Sequence, residues 1–341
     1  MTTNEKRARG SVRAVARSLF AGCGATLALA AAPAGAQVIC GDTIGPNQHV
    51  VLQADLACDD VETALVVQGP AVLDLNGFAI LCDDANGDGR EVIAGVLIEG
   101  TGATVRNGAI RGCRSGVTAG GAGKHRVSDV SVFFASAVAI RTTSERNKIS
   151  NSFSLFPSGT GFEVEGEGNV LTGNAATGGR IGFDVAGRST LKKNIASGSE
   201  RIGFEIRSSR SVLTDNRAIG ALTAFEIRGD ANRLLRNQAD DNSTGFFLES
   251  FAEANVLTRC SATDSALNGF AVAGDGNRLQ RSRAEDNGGN GIRLASTASG
   301  NVVTGSVARG NELDLFDGTP GCGTNLWRRN GFGSSNDACI R

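Results

Sequence analysis

The sequence predicts an all-β chain: a single-stranded, right-handed parallel β-helix, a solenoid of about eleven rungs of roughly 22 residues each. Three observations predict it. A small polar residue recurs at Asn147, Asn169, Ser189, Ser211, Asn232, Asn255, Asn277, Asn301 and Asn325, at separations of 22, 20, 22, 21, 23, 22, 24 and 24 residues. Apolar residues between these markers sit two apart, which is strand alternation and not helical spacing. Finally, 47 Gly against 5 Pro describe a chain of many tight turns.

Each element follows from its offset to the marker. Two places on stands an aliphatic residue, from Ile149 and Leu171 to Val303, with Trp327 last. The fifth place holds Ser152, Asn174, Asn194, Asn216, Asn237, Cys260, Ser282, Ser306 and Asn330, and the seventh is nearly always Ala. A Gly-Phe pair follows later, Ala-Phe in one unit, with Phe162, Phe183, Phe204, Phe225, Phe246 and Phe270, and an aliphatic residue two places beyond. No unit of this size buries its own apolar face, so units must stack at ~4.8 Å. Like residues then form an aliphatic ladder, an alanine ladder, a phenylalanine stack and a fifth-place asparagine ladder bonded rung to rung. Cys260 falls in that last series and reads as a buried free thiol. Earlier units are less regular, with strands expected at Ala71 to Ile80, Gly95 to Glu99, Ala103 to Ile110 and His125 to Val132. The right hand follows from parallel crossovers in general.

The ends read differently. Residues 1–36 carry Lys6, Arg7, Arg9, Arg13 and Arg17, an apolar run from Ser18 to Ala32, and Ala34-Gly35-Ala36, the pattern of a cleaved signal peptide. A lipoprotein signal at Cys23 is the alternative, with almost no apolar run before it. The apolar run is too short to span a bilayer, so a secreted or periplasmic protein with no membrane span is expected. Residues 37–68 read as an N-terminal cap, 69–320 as the β-helix and 321–341 as a C-terminal cap. Without the leader, which holds five basic residues and Glu5, the 34 basic and 35 acidic residues become 29 and 34. That net charge of −5 argues against nucleic acid as a partner. Three local cysteine pairs are natural in an oxidising compartment: Cys40–Cys58, Cys82–Cys113 and Cys322–Cys339, although spacing alone fixes no connectivity.

The segments Cys40-Gly-Asp-Thr-Ile44, Leu52 to Cys58 and Leu73-Asp-Leu-Asn-Gly77 resemble the opening of secreted bacterial right-handed β-helix proteins with the pectin-lyase-like fold. Asn325-Leu-Trp-Arg-Arg-Asn-Gly-Phe332 and Cys339 resemble their C-terminal cap. The group is similar to the periplasmic family associated with copper-site maturation of nitrous oxide reductase. The resemblance implies architecture and little about activity. Two His and one Met supply no copper-binding cluster.

Candidate chemistry is charge on the outside. Glu163, Asp184, Glu205 and Glu226 follow the Phe on four successive units, with Arg207 and Arg228 placed to offset them. A balanced surface ladder is the plainer reading; a cation site or a groove for a partner is the other. Arg236, Arg259 and Arg281 form a second stripe at the fourth place, facing Asp241, Asp264 and Asp286 at the ninth, which suggests ion pairs across the turn or a grip on an acidic glycan. Asp84, Asn86 and Asp88 match the first half of a calcium loop, but Gly95 stands where the closing carboxylate belongs. A polar turn competes there with a calcium-stabilised insertion, and calcium is the one cofactor in view. No Tyr, no Gly-His-Gly and no Arg-Ile-Lys is present, so hydrolases and tyrosine-dependent lyases of this fold are not expected. With no assembled catalytic set, the expected function is a non-catalytic surface interaction or structural module. The alternative is a polysaccharide lyase or other carbohydrate-active enzyme on an acidic glycan. Either way the expected partner is a cell-surface or extracellular glycan.

Overall fold

The computed structural model describes residues 38–59, 61–82 and 92–341. The leader and the Asp84, Asn86 and Asp88 loop lie outside these residues. One parallel sheet of 13 strands runs from Asp42–Ile44 to Leu313–Asp317, and each turn of the solenoid contributes one strand to it. Between successive long-sheet strands the chain usually makes two short strands, such as Asn169–Thr172 and Ala175–Thr177, which stack on their equivalents in the next turn.

The solenoid therefore has thirteen turns and not eleven. The difference lies in residues 42–68, expected as a cap: Asp42–Ile44 already pairs with Thr63–Gln68, and that strand pairs with Ala94–Glu99. These rungs lack the asparagine and phenylalanine marks of the later units, so periodicity does not reveal them. The stretch from Ala71 to Ile80 is likewise two strands, Val72–Asp74 and Ala79–Leu81, broken where Asn76 and Gly77 take positive φ of 52° and 84°.

Register places like on like. Phe162, Phe183, Phe204, Phe225, Phe246 and Phe270 are fully buried, with ring centroids 4.7–4.8 Å apart and planes within 5–6°. Isolated aromatic pairs prefer offset or edge-on geometry, so the strand spacing imposes this stack. The Gly before five of the six Phe (Ala224 precedes Phe225) and the seventh-place Ala explain each other. A Cβ on Gly182 would stand 2.6 Å from the Gly203 carbonyl oxygen and 2.8 Å from Ala196 Cβ, so neither position has room for a larger group.

The fifth-place ladder is present: the Asn174, Asn194 and Asn216 N–H groups each donate to the next amide oxygen at 2.9–3.0 Å. The marker residues make a second such ladder, unforeseen from sequence. Asn232, Asn255 and Asn277 each donate a backbone N–H to the next marker's Oδ1 at 2.8–2.9 Å. His125 belongs to that column: the Ala103 N–H donates to its Nδ1 at 3.1 Å, and its own N–H donates to Asn147 Oδ1 at 2.9 Å. These columns satisfy backbone groups where the chain bends and strand pairing lapses.

The three disulfides Cys40–Cys58, Cys82–Cys113 and Cys322–Cys339 form, while Cys260 is free and buried. Burial pushes its thiol up to about 12, so it carries no thiolate at physiological pH. At the C-terminal end, Trp327 extends the aliphatic ladder and its indole N–H donates to Asp317 at 2.8 Å. Among the described residues no helix is long and apolar enough to cross a membrane.

Candidate functional site

The four acids meet on the outer face of the 13-stranded sheet. Register places Arg141, Glu163, Asp184, Glu205, Glu226 and Phe247 in one column, one per rung. Stacked carboxylates repel, and the structure supplies arginines to offset them. Arg207 grips Asp184 through two bonds of 2.7 and 2.8 Å. Arg228 reaches both Glu226 at 2.6 Å and Glu205 at 3.2 Å. Arg141 stands 3.5 Å from Glu163 and 2.7 Å from Glu165. Arginine stems lie along the sheet and cover what they neutralise: Asp184, Glu205 and Glu226 are only 6–8% exposed although they point outward.

That covering has an electrostatic effect. Burial, with the Asp184 and Glu226 charges on either side, raises the Glu205 carboxyl above its ordinary value against the pull of Arg228. Burial also raises Glu163, opposed by Arg141. Glu249, one rung beyond, is raised by burial and by Glu226. A carboxyl raised in this way gives up its proton less readily, the direction a general acid requires. Among the described residues no group of three or more His, Cys, Asp or Glu is arranged to hold a metal ion.

The second stripe is built differently from expectation. Arg236 bonds Asp215, the fourth-place residue of the preceding rung, at 2.6 and 2.9 Å, and does not pair with Asp241. All six residues of the supposed cross-turn pairs occupy left-handed corners, with φ of 52–57° at Arg236, Arg259, Arg281, Asp241, Asp264 and Asp286. The short strand Gln238–Asp240 separates the two corners of one rung, whereas corners of adjacent rungs lie one strand spacing apart. Stacking along the axis therefore wins, and no ion pair forms at Arg259 or Arg281 among the described residues. Corners of this kind suit Gly and Asn best, yet here Arg, Asp and Phe fill them as well.

Two features escaped the sequence reading. Phe134 and Phe156 occupy such corners with φ of 54° and 53°, lie 49% and 54% exposed, and stack on each other at 6.0 Å. Phe at the ninth place, where most units have Gly or Asp, was the available signal. The other is an open hollow of about 470 Å³ beside the acidic ladder, lined by Glu165, Glu167, Gly187, Arg188, Arg210 and Asp230 among others. The shortest marker separation, 20 residues from Asn169 to Ser189, was its sequence signal.

Residues 94–250 and 186–337 match the family model described as Right handed beta helix region. The chain belongs to that family. Its solenoid is thereby right-handed. The fold also matches the A-module of the mannuronan C-5 epimerase AlgE6 of Azotobacter vinelandii at 13% identity and a TM-score of 0.51, covering 88% of this chain and 87% of that one. The periplasmic alginate epimerase AlgG matches at 12% identity and a TM-score of 0.50, over 82% of this chain and 75% of that one. At such identities the likeness is one of fold. No curated protein matches the sequence, and the likeness to the copper-maturation family finds no support in these comparisons.

Proposed function

We propose that this chain is an exported glycan-binding module that holds its ligand on the outer face of the long sheet without cleaving it. The observation that supports this best is the engagement of the acidic ladder: Glu163, Asp184, Glu205 and Glu226 each meet an arginine. A face so fixed loses little side-chain freedom when a ligand arrives, and its alternating charges suit a polymer of hydroxyl and carboxylate groups. Three disulfides fit an exported protein, and the net negative charge disfavours nucleic acid. The names of two neighbours in fold, epimerases of mannuronan and alginate, guide the choice of glycans to test.

The experiment is a glycan array with the purified protein, followed by prolonged incubation of every bound glycan with and without calcium. Binding without product supports the module; a blank array removes it. A second reading, a lyase or related enzyme on an acidic glycan, draws on the raised Glu205 carboxyl. It replaces the first if product appears and Glu205→Gln abolishes its release while binding persists. Calcium at Asp84, Asn86 and Asp88 is proposed as a stabiliser only, and a melting temperature indifferent to chelator removes it.

A further inference from the structure

We infer that the hollow beside the acidic ladder is a subsite for an acidic sugar, with Arg188 and Arg210 holding its carboxylate; the inference rests on the glycan-binding reading above. The hollow is built by a deletion. Three residues separate the long-sheet strand ending at Val185 from Ser189, whereas four separate Val164 from Asn169 and four separate Ile206 from Ser211, the equivalent positions of the adjoining rungs. One rung's turn is thus drawn in between two longer ones, leaving a notch in the ridge of turns. Its floor is bare because a Cβ on Gly187 would stand 2.1 Å from the Gly166 carbonyl oxygen and 2.3 Å from that of Glu165.

Arg188 and Arg210 line this notch and also a neighbouring hollow of about 310 Å³, so they stand between the two. Both are exposed, and neither forms an ion pair among the described residues, whereas Arg207 and Arg228 on the sheet face are committed to the ladder. Two free guanidinium groups on adjacent rungs suit a planar carboxylate. Glu167, Asp230 and the Ser209 hydroxyl share the lining. The two carboxylates repel a bare phosphate or polyphosphate but accept hydrogen bonds from sugar hydroxyls, and the serine hydroxyl adds a donor. A ligand carrying one acid group among several hydroxyls satisfies both halves of the lining, and that is a uronic acid unit of a polysaccharide.

The test is calorimetric titration of the full protein with tetragalacturonate, tetramannuronate and neutral cellotetraose. An acidic tetramer is expected to bind, to weaken as sodium chloride rises, and to lose roughly tenfold or more in affinity in the Arg188→Ala/Arg210→Ala double variant. Both side chains are exposed, so the melting temperature should not move, and Arg309→Ala, an exposed arginine on the short strand Val307–Arg309 outside the notch, should bind as the parent does. Affinity of the double variant within twofold of the parent, or equal affinity for cellotetraose, overturns the inference. Binding of neutral glycans alone overturns it and leaves the glycan-binding reading standing; no binding to any glycan removes both.

Discussion

Two kinds of polar column run along the central rungs, and they solve the same problem in opposite ways. Inside, asparagine stacks on asparagine; outside, carboxylate stacks on carboxylate. An amide carries both donors and an acceptor, so a column of amides completes itself. Asn216 shows this fully: its N–H and Nδ2 donate to Asn237 Oδ1 at 3.0 and 2.9 Å, and its Oδ1 accepts from Asn194 at 2.9 Å. A carboxylate only accepts, so the outer column must borrow donors from Arg141, Arg207 and Arg228. Repetition of one residue is therefore self-sufficient in the core and dependent on neighbours at the surface.

The comparison breaks most visibly if an interior amide is made acceptor-only. Asn216→Asp keeps the shape but removes the Nδ2 donor to Leu191 O and Asn237 Oδ1 and buries a charge. A loss of about 3–5 kcal/mol in chemical denaturation is expected; a loss under 1 kcal/mol would show that the inner column tolerates what the outer one has to manage.

On the outside the corresponding change is removal of the borrowed donor. Arg228→Met leaves Glu205 and Glu226 without their shared cation. Arg228 is more than one-third exposed, so solvent screens much of the effect, and about 1–2 kcal/mol at neutral pH is expected. Its sign with pH is fixed. Glu205 already has a raised carboxyl in the folded state, and removing Arg228 raises it further. The folded state then favours the proton, so the deficit of the variant should shrink as pH falls towards 4 and widen as pH rises. Equal deficits in urea melts at pH 4 and pH 8 would refute this account.

The mildest test lies in the other inner column, the marker ladder, where His125 stands in place of asparagine. His125 accepts the Ala103 N–H through Nδ1 and donates through Nε2 to the Gly120 carbonyl at 2.8 Å, which fixes the neutral tautomer. Burial holds its imidazolium below the ordinary value of 6.5. The folded state therefore binds the proton less readily than the unfolded one, so stability present above 6.5 declines as pH falls through 6 and below. His125→Asn, the residue most rungs carry at this place, should flatten that decline by about 1 kcal/mol between pH 7 and pH 5. An unchanged slope of melting temperature with pH would place the acid sensitivity elsewhere.

What was legible in the sequence was whatever repeats at one residue per rung. The phenylalanine stack, the fifth-place amides and the buried Cys260 all declared themselves because stacking turns periodic sequence directly into contact. The first rungs did not, since Asp42–Ile44 and Thr63–Gln68 use ordinary alternation without the marker residues. Partner choice at the corners was misjudged because Arg236 has neighbours along the axis that are nearer than those along its own chain, and sequence order shows only the latter. The notch was present as a single short interval, but a deviation from period reveals a recess only once the rungs on both sides are known to be longer.

The packing of Gly182 against Gly203 and Ala196 carries a consequence for the molecule as a whole. Each coil is fitted to the one before and the one after it, and to nothing further away. Excising residues 211–231 would set Phe204 directly on Phe246 and rejoin the marker ladder from Ser189 to Asn232, while both disulfide-bearing ends stayed as they were. Length in such a protein is a free parameter, adjustable a whole coil at a time, and the extent of the charged strip on its flank adjusts with it.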